Sequence, residues 1–164
     1  AGLQLHQLDG VAVATGPGSF SALRVGLSIA KGFSFSLSLP LAGVPTTDAI
    51  AAPLAWSERS VVAVMTAGRD RVVWSRYESD GSSDGPHNTT LEELARVAED
   101  RNALIVSETM LPIDGEVVIS PAGARVEQIA RLGWKRLRAG DRDDAASLEP
   151  IYAHGRRAPE ATAV

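Results

Sequence analysis

With no cysteine in the chain, chemistry would have to rest on histidines, carboxylates, hydroxyls and backbone amides. The histidines are His6, His87 and His154. They fall in three separate segments and none forms a helical pair with another, whereas zinc wants three or four ligands with ordered partners behind them. Ser19 has no histidine near it in sequence, and the Gly-x-Ser-x-Gly pattern of a nucleophile elbow is absent. Asp48 stands at a cap position and reads as helix-stabilising rather than as a general base. Asp141, Asp143 and Asp144 form a carboxylate cluster, but the interleaved Arg142 argues for a solvated loop over a calcium site. Lys135, Arg136, Arg138 and Arg142 could touch RNA; acids beside them weaken the field, and a run of charge is usually a wet helix face. The stretch Gly16-Pro17-Gly18-Ser19 presents amides at a helix start, where anions are favoured. No Lys-Ser/Thr follows as in a phosphate loop, and Ser21 stands where a dinucleotide fingerprint has its third glycine. The turn is read as structural. No catalytic residue, metal or cofactor is assigned.

The elements around that turn follow from periodicity. Val11–Ala14 is a short apolar run of the kind found in buried parallel strands. It stops at Gly16-Pro17-Gly18, and Ser19 or Ser21 is placed to cap the helix that follows, from about Ser21 to about Leu37. Ala22, Gly26, Ala30 and Ser34 recur every four residues and make a stripe of small residues. Leu23 and Leu27 lie beside it; Val25, Ile29 and Phe33 cover another side; only Arg24 and Lys31 are charged. A helix so apolar is expected to be buried on more than one side. The small stripe lets a second helix come close, whether from this chain or from another. Pro40 marks the end, Leu41–Val44 is a second buried strand, and a short helix covers Ala49–Leu54. Strand, helix, strand is a right-handed crossover with parallel strands.

Beyond Ser57-Glu58-Arg59-Ser60 the pattern changes. Val61–Met65 and Val72–Tyr77 read as an antiparallel hairpin. Ser79–His87, rich in Ser, Asp and Gly, reads as a flexible loop. Thr90-Leu91-Glu92-Glu93 is a capping box for a helix ending near Asp100. Leu104–Ser107 and Val117–Ile119 are strands, and Ala124 to about Arg138 is an amphipathic helix. Ala139–Pro150 is a charged loop, Ile151-Tyr152 docks, and the rest frays.

The chain has 164 residues, 45% apolar and 22% charged, with a net charge of −4. A domain of this length buries roughly 70% of its unfolded surface. The charge does not mark a nucleic-acid binder, and the lack of cysteine fits a reducing compartment. The longest apolar stretch, Gly32–Val44, is broken by serines and Pro40 and is too short for a membrane span. No signal peptide is visible. The chain begins with Ala1 and its first strand comes only at Val11, so it is expected to be the back part of a longer protein.

Gly16-Pro17-Gly18-Ser19-Phe20, followed by Leu23-Arg24-Val25-Gly26-Leu27 and Ala30-Lys31-Gly32, closely resembles the signature of the TsaB (YeaZ) family. Leu39–Val44, Asp48-Ala49, the hairpin with Ala67-Gly68-Arg69 and Val72-Val73-Trp74, and Leu148–Tyr152 continue the likeness. The resemblance implies an α/β fold of the two-lobed actin/Hsp70/sugar-kinase (ribonuclease-H-like) type, with its first lobe incomplete. Residues 1–57 would be the remainder of that lobe, 58–152 the second lobe and 153–164 a flexible tail. It implies a cytoplasmic, non-catalytic scaffold that pairs with a TsaD-type threonylcarbamoyl transferase, is joined by a TsaE-type ATPase, and meets tRNA only through the complex that modifies N6 of adenosine 37. Homodimers are a further possibility. The helix would supply the partner interface through Phe20, Ala22, Leu23, Gly26, Leu27 and Ala30, or the packing behind it. Two departures are visible: Ser21-Ala22 stands where the family usually has Thr-Gly, and the family's opening strands with their Asp-Thr-Ser motif are not in the chain. The competing readings are a nucleotide-binding phosphotransferase or glycoprotease-like hydrolase of the same superfamily, and a tRNA-binding module built on the basic C-terminal helix.

Overall fold

Strands β1 (Val11–Gly16) and β2 (Leu41–Pro45) lie parallel, with Val11 beside Leu41 and Ala14 beside Val44. This is a computed structural model, and it describes residues 4–54, 57–68, 70–99 and 102–152. The tail 153–164 with His154, and Arg69 of the hairpin, lie outside the described residues. Helix α1 (Phe20–Leu37) makes the crossover. It opens one residue earlier than expected, and Ser19, at the N-cap position, makes no side-chain cap bond; neither serine caps. At the other end Ser38 turns into the left-handed region with φ 53°, and Ser34 Oγ donates to Leu39 O at 2.7 Å. Pro40 then bars any continuation.

Side chains alternate across a strand, and the small sheet uses both faces. Val11, Val13 and Leu41 pack with Ala30 of α1 and with Ala145 and Leu148. Ala12 and Ala42 face the other way, toward Gly133 of helix α4 (Ala122–Arg138). A methyl at Gly133 would collide with the Ala12 side chain and lie 3.7 Å from that of Ala42. Glycine at this position is what lets α4 lie so close to the sheet. The sheet is thus sandwiched between α1 and α4. The chain after α4 stays with it: Asp143 N donates to Leu41 O at 2.9 Å and Ile151 N to Thr15 O at 2.7 Å.

The second sheet has five strands in the order β5-β4-β3-β6-β7: β3 (Ser60–Thr66), β4 (Arg71–Tyr77), β5 (Ser83–Thr90), β6 (Ala103–Ser107) and β7 (Val117–Ile119). Pairing is antiparallel along β3, β4 and β5 and parallel along β3, β6 and β7. Helix α3 (Leu91–Ala98) starts with the expected capping box: Glu93 N donates to Thr90 Oγ1 and Thr90 N to Glu93 Oε2. Its Leu94 is fully buried among Val62, Val64, Val72 and Ile105. On the sheet's other face, Val61, Ala63 and Val106 pack against Ile50 and Ala51 of helix α2 (Thr46–Ala51). Helix α2 follows directly on β2, so it ties the two sheets together.

One expectation is corrected. Much of Ser79–His87, read as a loop, belongs to β5. Its residues have little strand propensity, but β4 supplies the partner: the Trp74 and His87 rings lie 4.4 Å apart, and Trp74 Nε1 donates to Thr89 Oγ1 at 3.0 Å. Residue 57 lies between the strands of the two sheets. Residues 122–152, assigned by sequence to the second lobe, pack on β1 and β2.

Candidate functional site

Helix α1 presents two unlike faces. Leu23, Leu27 and Ala30 are its buried residues. Phe20, Val25, Ile29 and Phe35 are 55%, 59%, 55% and 65% exposed. Ala22, Val25, Gly26 and Ile29 follow an i, i+3, i+4, i+7 spacing and form one outer strip. A methyl added at Gly26 would meet nothing within 4 Å. The small-residue stripe is therefore split. Each step of four residues turns about 40° past a full circle, so Ala22 and Gly26 sit outside while Ala30 enters the core. Among the described residues the helix is buried on one side. Of the six residues proposed from sequence, Leu23, Leu27 and Ala30 pack inward, while Phe20, Ala22 and Gly26 reach the surface. Val25 and Ile29, which the sequence places on another apolar side, are the large apolar residues of that outer strip. Counting at the helical repeat, rather than at every fourth residue, would have found them.

The turn ahead of α1 is held from behind. Gly16 has φ +110°, and a methyl there would run into the Ile151 carbonyl oxygen and approach Leu23 Cδ1 to 3.0 Å; only glycine suits the position. Pro17, Gly18, Ser19 and Phe20 then line a cleft of about 520 Å³, with Met65, Thr66, Ala67 and Val73 opposite and Tyr152 beside it. Phe20 and Tyr152 meet at 4.9 Å between ring centres, and the Arg24 guanidinium lies 5.2 Å from the Phe20 ring centre. Ile151-Tyr152 docks, as expected, and does so beside the turn.

The ionisable residues are used within the fold. Arg136 donates from Nε to Asp141 Oδ2 at 2.7 Å, and from Nη1 to Asp143 Oδ2 at 3.0 Å and to Gly43 O at 2.5 Å. Asp143 Oδ2 also accepts from Gly43 N at 2.7 Å. The bond to Arg136 holds the Asp141 carboxyl below the usual range and raises the guanidinium further. Asp144 accepts from Ser147 Oγ at 2.8 Å and from the amides of Ala146 and Ser147, which lowers its pKa. The partner of this cluster is thus Arg136 of the helix rather than the neighbouring Arg142. Arg136 is turned toward β2 and not toward RNA. Asp48 sits in the first turn of α2 and accepts from the Tyr77 hydroxyl at 2.6 Å. Burial raises the Asp48 pKa, against the lowering effects of Tyr77 and Arg136, and burial beside Asp48 raises that of Tyr77. His6 is exposed in a short 3-10 turn, Leu5–Gln7, and His87 pairs with Asp84 at 3.0 Å. Among the described residues no three His, Cys, Asp or Glu side chains gather as a metal site, and no helix is long and apolar enough to cross a membrane.

A family model described as "TsaD: tRNA N6-adenosine threonylcarbamoyltransferase" matches residues 1–147. The Escherichia coli tRNA threonylcarbamoyladenosine biosynthesis protein TsaB is 30% identical over 126 residues, which cover 75% of this chain and 51% of that protein. An uncharacterized protein of Mycobacterium tuberculosis is 35% identical over 158 residues, 93% of this chain and 67% of its own length. This chain therefore spans about half to two thirds of these relatives. Two solved structures from Pseudomonas aeruginosa share the fold. One, an uncharacterized protein with similarity to peptidase YEAZ, gives a TM-score of 0.67 at 22% identity, covering 93% of this chain and 77% of that one. The other, YeaZ, gives 0.63 at 24% identity, covering 92% and 76%.

Proposed function

Because this chain belongs to the family of TsaD and its TsaB (YeaZ) relatives, we propose that it serves the synthesis of N6-threonylcarbamoyladenosine in tRNA as a scaffold. In this reading it pairs with a TsaD-type transferase in the cytoplasm and performs no chemistry itself. The observation that carries the reading is the outer strip of α1. Val25 and Ile29 stand more than half exposed on either side of the open Gly26. Fully burying such a side chain is worth about 1.5–3 kcal/mol, so covering these two, each somewhat more than half exposed, contributes about 2–3 kcal/mol toward a pair. Ala22 and Gly26 let a second helix approach, Phe20 closes one end, and Leu23, Leu27 and Ala30 fix the helix on its sheet. The same strip would serve a homodimer when the transferase is lacking. A TsaE-type ATPase joins the assembled pair.

The test is size-exclusion chromatography with light scattering, using the protein and the TsaD-type subunit of its organism. Wild-type protein should give a heterodimer, and Ile29→Glu should abolish it while leaving the unfolding temperature unchanged. No heterodimer with wild type, or an undiminished one with Ile29→Glu, overturns the proposal.

A further inference from the structure

The solvent face of α4 is the strongest feature that the scaffold reading leaves unused. Trp134 is 51% exposed there, next to Gly133, which presses on β1. Helical spacing places Arg131 at i−3 and Arg138 at i+4 beside the indole, with Lys135 about 100° round the helix and three residues before Arg138; all are exposed. The Arg138 guanidinium lies 5.6 Å from the centre of the Trp134 ring. The ion pairs of this segment join Arg131 to Glu127 and Arg136 to Asp141 and Asp143. Lys135 and Arg138 stand outside those pairs and neighbour each other at i, i+3, Arg138 against the indole and Lys135 on the adjoining flank. In a chain of net charge −4, this face is a local concentration of positive charge around an aromatic surface.

We propose that this face of α4 binds an unpaired segment of RNA, one base stacking on Trp134 and adjacent phosphates lying against Lys135 and Arg138. Charge complementarity selects the occupant, and the ring decides between polyanions. An acidic peptide would satisfy the cations but leave the indole without a partner. A membrane surface would need more apolar area than the single ring beside these charges. An unpaired nucleotide satisfies both, because its base has a π-face and its phosphate carries the charge. A duplex, whose bases are already stacked, cannot offer the first. The proposal deepens the scaffold reading, since it places part of the tRNA contact on this subunit. It goes beyond the expectation that tRNA is met only through the complex, by giving this subunit a contact of its own. Arg136, turned inward, has no part in it.

The experiment measures binding of the protein to tRNA by fluorescence anisotropy between 50 and 200 mM salt, with an equal length of duplex DNA as competitor. Removing two phosphate contacts in Lys135→Gln/Arg138→Gln should flatten the slope of log K against log salt by about 1.4. Trp134→Ala should weaken binding about tenfold, and Trp134→Phe, which keeps an aromatic face, much less. Circular dichroism and thermal unfolding establish that each variant folds. Unchanged affinity and slope in folded variants overturn the proposal, as does duplex DNA competing as well as tRNA. The same variants are run with the TsaD-type subunit. Pairing without any change in RNA affinity would sink this surface alone. An effect of Trp134→Ala on RNA in a protein that never pairs would sink the scaffold reading alone.

Discussion

Gly133→Ala should destabilise the protein, although the same change in the middle of an exposed helix stabilises it. Replacing a mid-helix glycine by alanine gains about 1 kcal/mol from backbone entropy. At Gly133 the new methyl would fall on the side chain of Ala12, 3.5 Å from Ala12 Cα and 3.7 Å from Ala42 Cβ. The neighbour it strikes belongs to a strand already paired with β2, so it cannot swing aside as a long side chain would. Overpacking of that kind costs about 1–3 kcal/mol. The larger part of that range outweighs the helical gain, leaving a net loss of about 1 kcal/mol, or about 2–4 °C in unfolding temperature for a chain of this size. Gly26 is the internal control: it too lies within a helix, but its methyl meets nothing within 4 Å. Gly26→Ala should therefore raise the unfolding temperature by a similar amount. Differential scanning fluorimetry followed by urea titration reads both. Ala12→Gly added to Gly133→Ala should recover stability beyond additivity, because the methyl lost from the strand makes room for the one gained on the helix. If Gly133→Ala stabilises as Gly26→Ala does, or if the double variant is simply additive, the close approach of α4 to β1 is wrong.

Gly26→Ala should also weaken pairing with the TsaD-type subunit while stabilising the isolated protein, and titration calorimetry would show the two effects moving in opposite directions. Tyr77→Phe removes a hydrogen bond to a largely buried carboxylate and should cost about 2 kcal/mol in urea unfolding. The pKa of Asp48 is raised in the folded state from 3.8, so the folded protein holds a proton that the unfolded chain has released. This contribution to stability falls as pH rises from about 4 through the raised value. Asp48→Asn should therefore gain on wild type over that interval, and a flat difference would refute the burial argument. Arg136→Gln should lose about 2 kcal/mol by breaking charge-assisted bonds. Amide exchange at Asp143 and Ile151 should accelerate ahead of that in β3 and β6, and uniform acceleration would count against the local role given to Arg136.

Local signals located most of the elements. Pro40 and the apolar run before it bounded α1, the capping box at Thr90 and Glu93 bounded α3, and alternation in Val61–Met65 and Val72–Tyr77 gave the hairpin. What escaped is what depends on distant partners. Strand β5 is written in Ser, Asp, Gly and Pro and exists because β4 offers it Trp74. Arg136 reads as one more charge on a basic helix until the fold brings Gly43 and Asp143 to it. The proposed interface was half legible for the same reason. The signature around Gly16–Gly32 pointed to α1, but a spacing of four residues could not say which of its small and apolar residues the sheet would claim. Leu23, Leu27 and Ala30 went inward, leaving Val25 and Ile29 as the open surface.

The small sheet also has a consequence for how the protein is made. The strands of the five-stranded sheet and the helices α2 and α3 that pack on its faces all lie between Thr46 and Ile119, a continuous stretch that can form as soon as it leaves the ribosome. The strands β1 and β2 emerge before the five-stranded sheet, but their packing is completed after it. The helix that covers Ala12 ends at Arg138, and the bond from Ile151 N to Thr15 O closes over the turn later still. Contacts so distant in sequence are slow to form. During synthesis β1 and β2 must therefore wait for α4 and Ile151, residues about a hundred positions or more downstream, before those contacts can form. That interval is when the nascent chain is most exposed to aggregation or to capture by a chaperone.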